Sequence, residues 1–139
     1  MVDAGLDKFF RSMTPNSDGF PKVARSARTL GVRVPDDVEP DDEGKVLPAT
    51  GGMSVAPTSM WNLPNHRRPR GLERGSTGPD ADWVFSMQRR PLESLSLTAR
   101  PDADNPVRHA FIEPVVPMAL GEYERALAGT RPSWSKAWP

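Results

Sequence analysis

The chain has 139 residues, of which 37% are hydrophobic, and its 18 basic and 18 acidic residues give a net charge of zero. A domain of this length buries roughly two thirds of the surface that its unfolded chain exposes, so we expect a single folded domain over residues 1–139. The zero net charge excludes a global field that attracts nucleic acid or membrane, and the absence of cysteine excludes disulfides and thiolate metal sites.

The first predicted element is a short strand from Lys8 to Met13, which ends at a run of turn-forming residues at 14–19. Arg11 lies within this otherwise apolar strand. Because an unpaired buried charge is costly, we expect Arg11 to have an anionic partner. That partner is either a carboxylate of this protein or the phosphate of a ligand.

Two further elements are predicted before the next strand. Residues 21–31 have apolar side chains at helical spacing and predict a short helix that ends at Gly31. Residues 32–49 contain three prolines around an acidic run, which favours an extended surface loop with solvated carboxylates.

Gly51 and Gly52 stand directly before a predicted strand, Met53 to Ala56. A glycine pair lets the backbone approach a ligand closely, and the strand then holds the hydroxyl of Ser54 rigidly. The same pattern is also typical of a plain turn, and the chain contains no dinucleotide or Walker motif. The following stretch, 57–82, is rich in proline, glycine and arginine and predicts a long loop that is either functional or disordered.

Residues 83–87, 95–99 and 108–113 predict three further strands, and a helix is predicted from Pro117 to Gly129. The third of these strands places His109, Phe111 and Glu113 on one face. The sequence leaves open whether Glu113 is exposed or points into a cleft.

Three other residue patterns bear on ligand binding, metal binding and hydrolysis. The segment 65–70, with three arginines and His66, suits an RNA backbone, a dinucleotide diphosphate or an acidic partner, but also a solvated loop. The two histidines, His66 and His109, lack metal-ligand spacing, so we expect no metal centre. No Gly-x-Ser-x-Gly elbow supports a serine hydrolase.

The segments Thr50 to Val55, Arg108 to Pro114 and Pro117-Met118, together with the closing amphipathic helix, resemble the "type VI secretion exported toxin two" family. This family is ADP-ribosyltransferase-like, and the likeness extends in order from about Lys8 to Trp134. It implies a compact α+β fold in which two small, mostly antiparallel sheets, with one or two short helices, form an NAD-binding cleft.

The resemblance also implies roles for individual residues. Arg11, Gly52, Met53 and Ser54 are expected to bind NAD, and Ser54 is also expected to position the nicotinamide ribose. His109 or Glu113 would hold a ribose hydroxyl while the nicotinamide bond breaks. Phe111 occupies a position where the superfamily commonly has Glu or Gln, which leaves NAD hydrolysis or modification of an unusual acceptor open.

The leading hypothesis is therefore a bacterial toxin that uses NAD as a substrate, cleaves it at the nicotinamide-ribose bond and transfers ADP-ribose to an unknown intracellular acceptor. It would be made in the cytoplasm, silenced there by a cognate immunity protein or antitoxin, and delivered by a specialised secretion system to a target cell. Met1 to Phe10 lacks the basic start and the apolar run of a signal peptide, and no apolar stretch is long enough to span a membrane, so we expect no export by a cleaved signal. Two alternatives are a catalytically inactive module that binds nucleic acid through the Arg-rich loop 66–90 and a structural interaction domain.

Overall fold

The computed structural model describes residues 7–72 and 75–138. Within them the main feature is a sheet of six strands, and a second sheet has two strands. The strands of the large sheet are β1 (Lys8–Met13), β3 (Met53–Pro57), β4 (Trp83–Gln88), β5 (Leu97–Pro101), β6 (Ala110–Pro114) and β8 (Ser135–Trp138). They lie in the order β5-β6-β3-β1-β4-β8, and every neighbouring pair is antiparallel.

The small sheet pairs β2 (Lys45–Val46) with β7 (Met118–Ala119). The described residues contain a single α-helix, α1 (Leu120–Gly129), and three 3-10 segments at Met60–Asn62, Arg90–Leu95 and Arg131–Ser133. The predicted class, α+β with two antiparallel sheets and few helices, is confirmed.

The predicted strands at 8–13, 53–56 and 83–87 correspond to β1, β3 and β4. The strands predicted at 95–99 and 108–113 each begin two residues later, at Leu97 and Ala110. The helix begins at Leu120 rather than Pro117, because Met118 and Ala119 pair with β2 instead.

The helix predicted at residues 21–31 is wrong. This segment forms isolated bridges, Pro15 to Pro21 and Val23 to Leu30, joined by turns. Local side-chain bonds compete with helix formation here, since the Thr29 hydroxyl donates to the carbonyl of Ala24 at 2.8 Å. The carbonyls that a helix would have used internally are thereby left available to another partner.

Residues 32–49 also differ from the predicted surface loop. Val32, Val38 and Val46 are buried in the hydrophobic core together with side chains from β1, β3, β4 and β6. The acidic run is not uniformly solvated either, because the side chain of Asp37 is only 11% exposed. Buried valines at wide spacing thus hold an irregular segment against the sheet.

Tyr123 connects α1 to the sheet. Its hydroxyl donates to the carbonyl of Ile112 in β6 at 2.5 Å and accepts from the backbone N–H of Met53 in β3 at 3.1 Å. Burial raises the pKa of Tyr123, so the phenol remains a protonated donor. The helix therefore fixes the two strands on which several predicted site residues stand.

Strands β1 and β3 pair only at Phe9–Pro57 and Phe10–Ala56. Beyond that point β3 pairs with β6 and β1 pairs with β4. Arg11 comes directly after Phe10 in β1, and Ser54 lies two residues before Ala56 in β3. Both are therefore just beyond the paired positions, and the Arg11 side chain reaches across to the Ser54 carbonyl. The large sheet is thus split at this point, and the split positions the candidate site.

The glycine pair is required by close packing. A Cβ on Gly52 would lie 2.6 Å from the carbonyl oxygen of Ile112, and one on Gly51 would lie 2.3 Å from that of Asp37. Both obstacles are backbone atoms that cannot move independently. The pair therefore brings β3 against β6 on one side and against the 37–38 segment on the other.

We predict that Gly52→Ala lowers the free energy of unfolding by about 1–3 kcal/mol, the usual cost of overpacking. Gly121→Ala is the matched control, because its Cβ would meet nothing closer than 3.5 Å and alanine favours a helix by up to about 1 kcal/mol. Urea denaturation of both variants measures the difference. Equal stability of the Gly52→Ala variant and the wild type would contradict the packing role.

Candidate functional site

A cavity of about 500 Å³ opens beside the split between β1 and β3. This volume falls in the range of small-molecule sites. The cavity is lined by two strands, β1 and β3, and by three connecting segments, which follow β1, β3 and β5. Its lining residues are Arg11, Ser12, Ala27, Arg33, Asp37, Ser54, Val55, Ala56, Asn62, Leu63, Pro64, His66, Arg67, Asn105, Arg108 and His109.

Three of the residues predicted for the site, Arg11, Ser54 and His109, line this one cavity. They come from β1, from β3 and from the residue directly before β6. The sequence separates them widely, and the order of the strands in the sheet brings them together.

Arg11 is held by backbone carbonyls. Its guanidinium donates to the carbonyls of Thr29 (2.8 and 3.1 Å), Ser54 (2.6 Å), Ser26 (3.3 Å) and Gly31 (3.5 Å). Among the described residues these hydrogen-bond partners are neutral backbone carbonyls, and no carboxylate is bonded to the Arg11 guanidinium. They become available because residues 21–31 do not form a helix.

Burial lowers the pKa of Arg11 to about 10. The group nevertheless stays charged at neutral pH. Only 5% of the residue is exposed, so Arg11 contributes a fixed positive charge to the cavity wall while it joins the two halves of the split sheet.

His109 and Asp102 form a hydrogen-bonded pair at one side of the cavity, with 2.7 Å between His109 Nδ1 and an Asp102 carboxylate oxygen. The bond to His109 lowers the pKa of Asp102, so the carboxylate is the acceptor and Nδ1 carries the proton. The Nε2 atom of the neutral ring is then an acceptor. This is the arrangement that orients a histidine as a general base.

Asp102 was not among the residues predicted for the site. It starts the turn between β5 and β6, where its backbone N–H donates to the His109 carbonyl at 2.9 Å. A signal was present in the sequence, since two alternating segments flank a short Asp- and Asn-containing turn. Recognising that hairpin would have placed Asp102 beside His109.

Arginine side chains give the cavity an excess of positive charge. Arg33, Arg67 and Arg108 line it together with Arg11, whereas Asp37 is the only carboxylate among the described lining residues. Asp37 is already paired, because its carboxylate accepts from the Arg33 side chain at 3.0 and 3.2 Å. The charge that remains favours an anionic ligand.

The Glu113 side chain is neither exposed to solvent nor part of the cavity lining, the two positions that the sequence left open. It is 5% exposed, and its carboxylate accepts from the Arg100 guanidinium at 2.9 Å and from the backbone N–H of Ala49 at 3.0 Å. It does share a strand face with His109 and Phe111, whose rings are 4.6 Å apart. The cavity, however, is lined by His109 and not by Glu113, so this carboxylate connects β6 to β5 and to the glycine segment.

Two other predicted NAD ligands also lie outside the cavity lining. Met53 is fully buried in the hydrophobic core, and Gly52 faces the backbone of β6. Their contribution to the site is indirect, since they fix the start of β3 and thereby the position of Ser54.

The Arg-rich loop does not present its arginines as one exposed row. Arg68 is buried and donates to the carbonyls of Trp61 and Leu63 at 3.1 and 3.2 Å. Arg70 pairs with Asp80 at 3.6 Å, and Arg67 faces the cavity. Arg74, the other arginine near this turn, lies outside the described residues.

Residues 7–72 and 75–138 contain no group of three or more side chains placed to hold a metal ion. Over the same ranges no helix has the length and apolar character needed to cross a bilayer. Comparison of the chain with protein-family models, with curated proteins and with solved structures gives no significant match.

Proposed function

We propose that the cavity binds NAD and that the protein cleaves the nicotinamide-ribose bond and transfers ADP-ribose to an acceptor. The observation that carries this proposal is the convergence of Arg11, Ser54 and His109 on one cavity. The resemblance to ADP-ribosyltransferase-like toxins named these three residues from the sequence. They are far apart in the sequence, and their convergence on one cavity is not expected if the resemblance is accidental.

The charge of the cavity supports an anionic dinucleotide as its ligand. Arg11, Arg33 and Arg67 stand on the wall with one carboxylate among them. A diphosphate matches this excess of positive charge, and the apolar lining at Val55, Ala56 and Leu63 can accept a ring system.

In the proposed reaction the bond between ribose C1′ and the nicotinamide nitrogen breaks, and its electron pair neutralises the positive charge of the pyridinium ring. An acceptor nucleophile forms the new bond to C1′ and gives up its proton to His109 Nε2. Asp102 accepts from Nδ1, which orients the ring, places the open nitrogen of the neutral tautomer at Nε2 and stabilises the imidazolium that forms when Nε2 takes the proton. Ser54 positions the ribose from β3. Water in place of the acceptor gives NAD hydrolysis.

This assignment gives the chemical role to His109 rather than to Glu113. The Glu113 carboxylate is engaged by Arg100 and Ala49, whereas no other described residue binds His109 Nε2. A toxin that acts in this way requires a cognate immunity protein or antitoxin in its producer, and we include that partner, with delivery to a target cell by a specialised secretion system, in the proposal.

The test is to mix the purified protein with NAD, with and without bacterial lysate as a source of acceptors, and to follow nicotinamide release. We expect release in at least one of the two mixtures, and growth arrest when the chain is expressed in a bacterial cytoplasm. Absence of both release and NAD binding would refute the enzymatic function. RNA binding that weakens steeply with salt would favour the nucleic-acid alternative instead.

A further inference from the structure

Arg67 is a partly buried cation that has no carboxylate bonded to it among the described residues. No hydrogen bond or ion pair joins its guanidinium to another described residue. Burial, and then the neighbouring charge of Arg33, lower the pKa of Arg67, and the more weakly acting carboxylates of Asp37 and Asp82 do not offset this. A partly buried guanidinium without a bonded partner carries a desolvation cost, and an anion bound in the cavity would reduce that cost.

Ser12 provides an independent indication at the same place. Its hydroxyl is buried and has no hydrogen-bond partner among the described residues, although the residue lines the cavity. A buried hydroxyl without a partner costs about 1–3 kcal/mol. A ligand oxygen that accepts a hydrogen bond from the Ser12 hydroxyl would remove this cost.

Arg11 adds a fixed positive charge to this part of the wall, since the charge of Arg67 is among the causes that lower the pKa of Arg11. The carbonyls of Ser26, Thr29, Gly31 and Ser54 occupy most of its N–H groups. The N–H groups of Arg67 are therefore available to bond a ligand, whereas most of those of Arg11 are not.

We propose that Arg67 and Ser12 bind the diphosphate of the dinucleotide, while Arg11 supplies charge and holds the sheet together. The identification of this diphosphate as part of NAD rests on the proposed function. The diphosphate site itself is inferred from two groups in one cavity, a guanidinium and a hydroxyl that have no hydrogen-bond partner among the described residues. A guanidinium donates two parallel hydrogen bonds to phosphate oxygens, and the Ser12 hydroxyl donates one.

The proposal is tested by calorimetric titration of the full chain with inorganic pyrophosphate, ADP-ribose and nicotinamide riboside. Arg67→Gln should weaken pyrophosphate and ADP-ribose binding about tenfold to hundredfold, the loss expected for hydrogen bonds between charged groups. Nicotinamide riboside, which has no phosphate, should bind both proteins equally. Arg70→Gln is the matched control, because Arg70 belongs to the same loop but is 66% exposed and paired with Asp80.

Ser12→Ala gives a second readout in which stability and binding change in opposite directions. The variant loses only an unpaired hydroxyl, so its melting temperature without ligand should equal or exceed that of the wild type. Its affinity for ADP-ribose should nevertheless fall severalfold. A hydroxyl with a purely structural role would give a lower melting temperature and unchanged affinity, which would overturn the assignment of Ser12.

The outcomes separate this inference from the proposed function. Wild-type protein that binds neither pyrophosphate nor ADP-ribose, or an Arg67→Gln variant that binds both as tightly as wild type, overturns the diphosphate site. Nicotinamide release that persists unchanged in Arg67→Gln at NAD concentrations well below saturation overturns the site and leaves the enzymatic proposal standing. Pyrophosphate binding that depends on Arg67, in a protein that releases no nicotinamide, supports the site and refutes the enzyme.

Discussion

Replacement of Arg11 by methionine should lower the free energy of unfolding by about 3 kcal/mol. Methionine keeps the approximate length of the side chain but removes the donors that reach the Ser54 carbonyl at 2.6 Å and the Thr29 carbonyl at 2.8 Å. Each buried carbonyl that loses its donor costs about 1–3 kcal/mol, and the variant recovers part of this loss because it no longer buries a guanidinium. The midpoint of urea denaturation measures the change.

Arg25→Met is the control for this experiment. Arg25 is also an arginine with good bonding geometry, at 2.5 Å from Glu124, but its side chain is 59% exposed. An exposed pair of this kind contributes about 0–1 kcal/mol. If Arg11→Met were no more destabilising than Arg25→Met, Arg11 would not be the connection between the halves of the split sheet.

Arg11→Lys separates charge from geometry. Lysine retains the positive charge of the cavity wall, but its ammonium lacks the planar set of donors that reaches Ser54, Thr29, Ser26 and Gly31 together. We expect stability between those of the wild type and the methionine variant. A role confined to ligand phosphate would instead leave the stability of both variants unchanged and alter only the affinity for NAD.

The elements that were predicted correctly carry their own periodic signal. Phe9 and Met13 in β1 enter the same core cluster, as alternation requires, and Tyr123 and Leu127 fall on the buried face of α1. The strands that the sequence did not reveal lack such a signal. β2 and β7 have two residues each, and β8, with the sequence Ser-Lys-Ala-Trp, is mostly exposed at the edge of the sheet.

The site was predicted only in part for a similar reason. Arg11 and Ser54 were named through the resemblance and do line the cavity, whereas Met53 and Glu113, which also lie on strands, do not. Asp37 and Arg67 come from irregular loops, and their position depends on contacts between segments distant in sequence, such as the approach of Gly51 to Asp37. No local pattern encodes such a contact.

Glu113 illustrates the limit of reasoning from one strand face. Alternation correctly places it beside Phe111, but the face continues past the cavity to Arg100 on β5, which pairs with Glu113 at 2.9 Å. The partner on the neighbouring strand therefore decides what the carboxylate does. This makes Glu113 the natural comparison for His109.

His109→Asn should reduce the rate of nicotinamide release in the presence of acceptor by about 10²–10⁴-fold, the usual contribution of a general base. Asparagine can still donate to Asp102 from the position of Nδ1, but it has no atom equivalent to Nε2. The hydrogen bond that now orients the ring is thus retained, while the group that accepts the proton is lost. Rates at saturating NAD, with thermal denaturation of the same samples, measure the effect apart from folding.

Glu113→Gln should lower stability and leave activity nearly unchanged, which is the opposite of the effect expected for His109→Asn. Glutamine can still accept from Arg100 and from Ala49, but the ion pair becomes a hydrogen bond from a charged guanidinium to a neutral amide, which we expect to cost about 1–2 kcal/mol of stability. Because Glu113 does not line the cavity, the rate of nicotinamide release should stay close to that of the wild type. A variant that kept its stability and lost its activity would return the catalytic role to Glu113 and require the carboxylate to leave Arg100 when NAD binds.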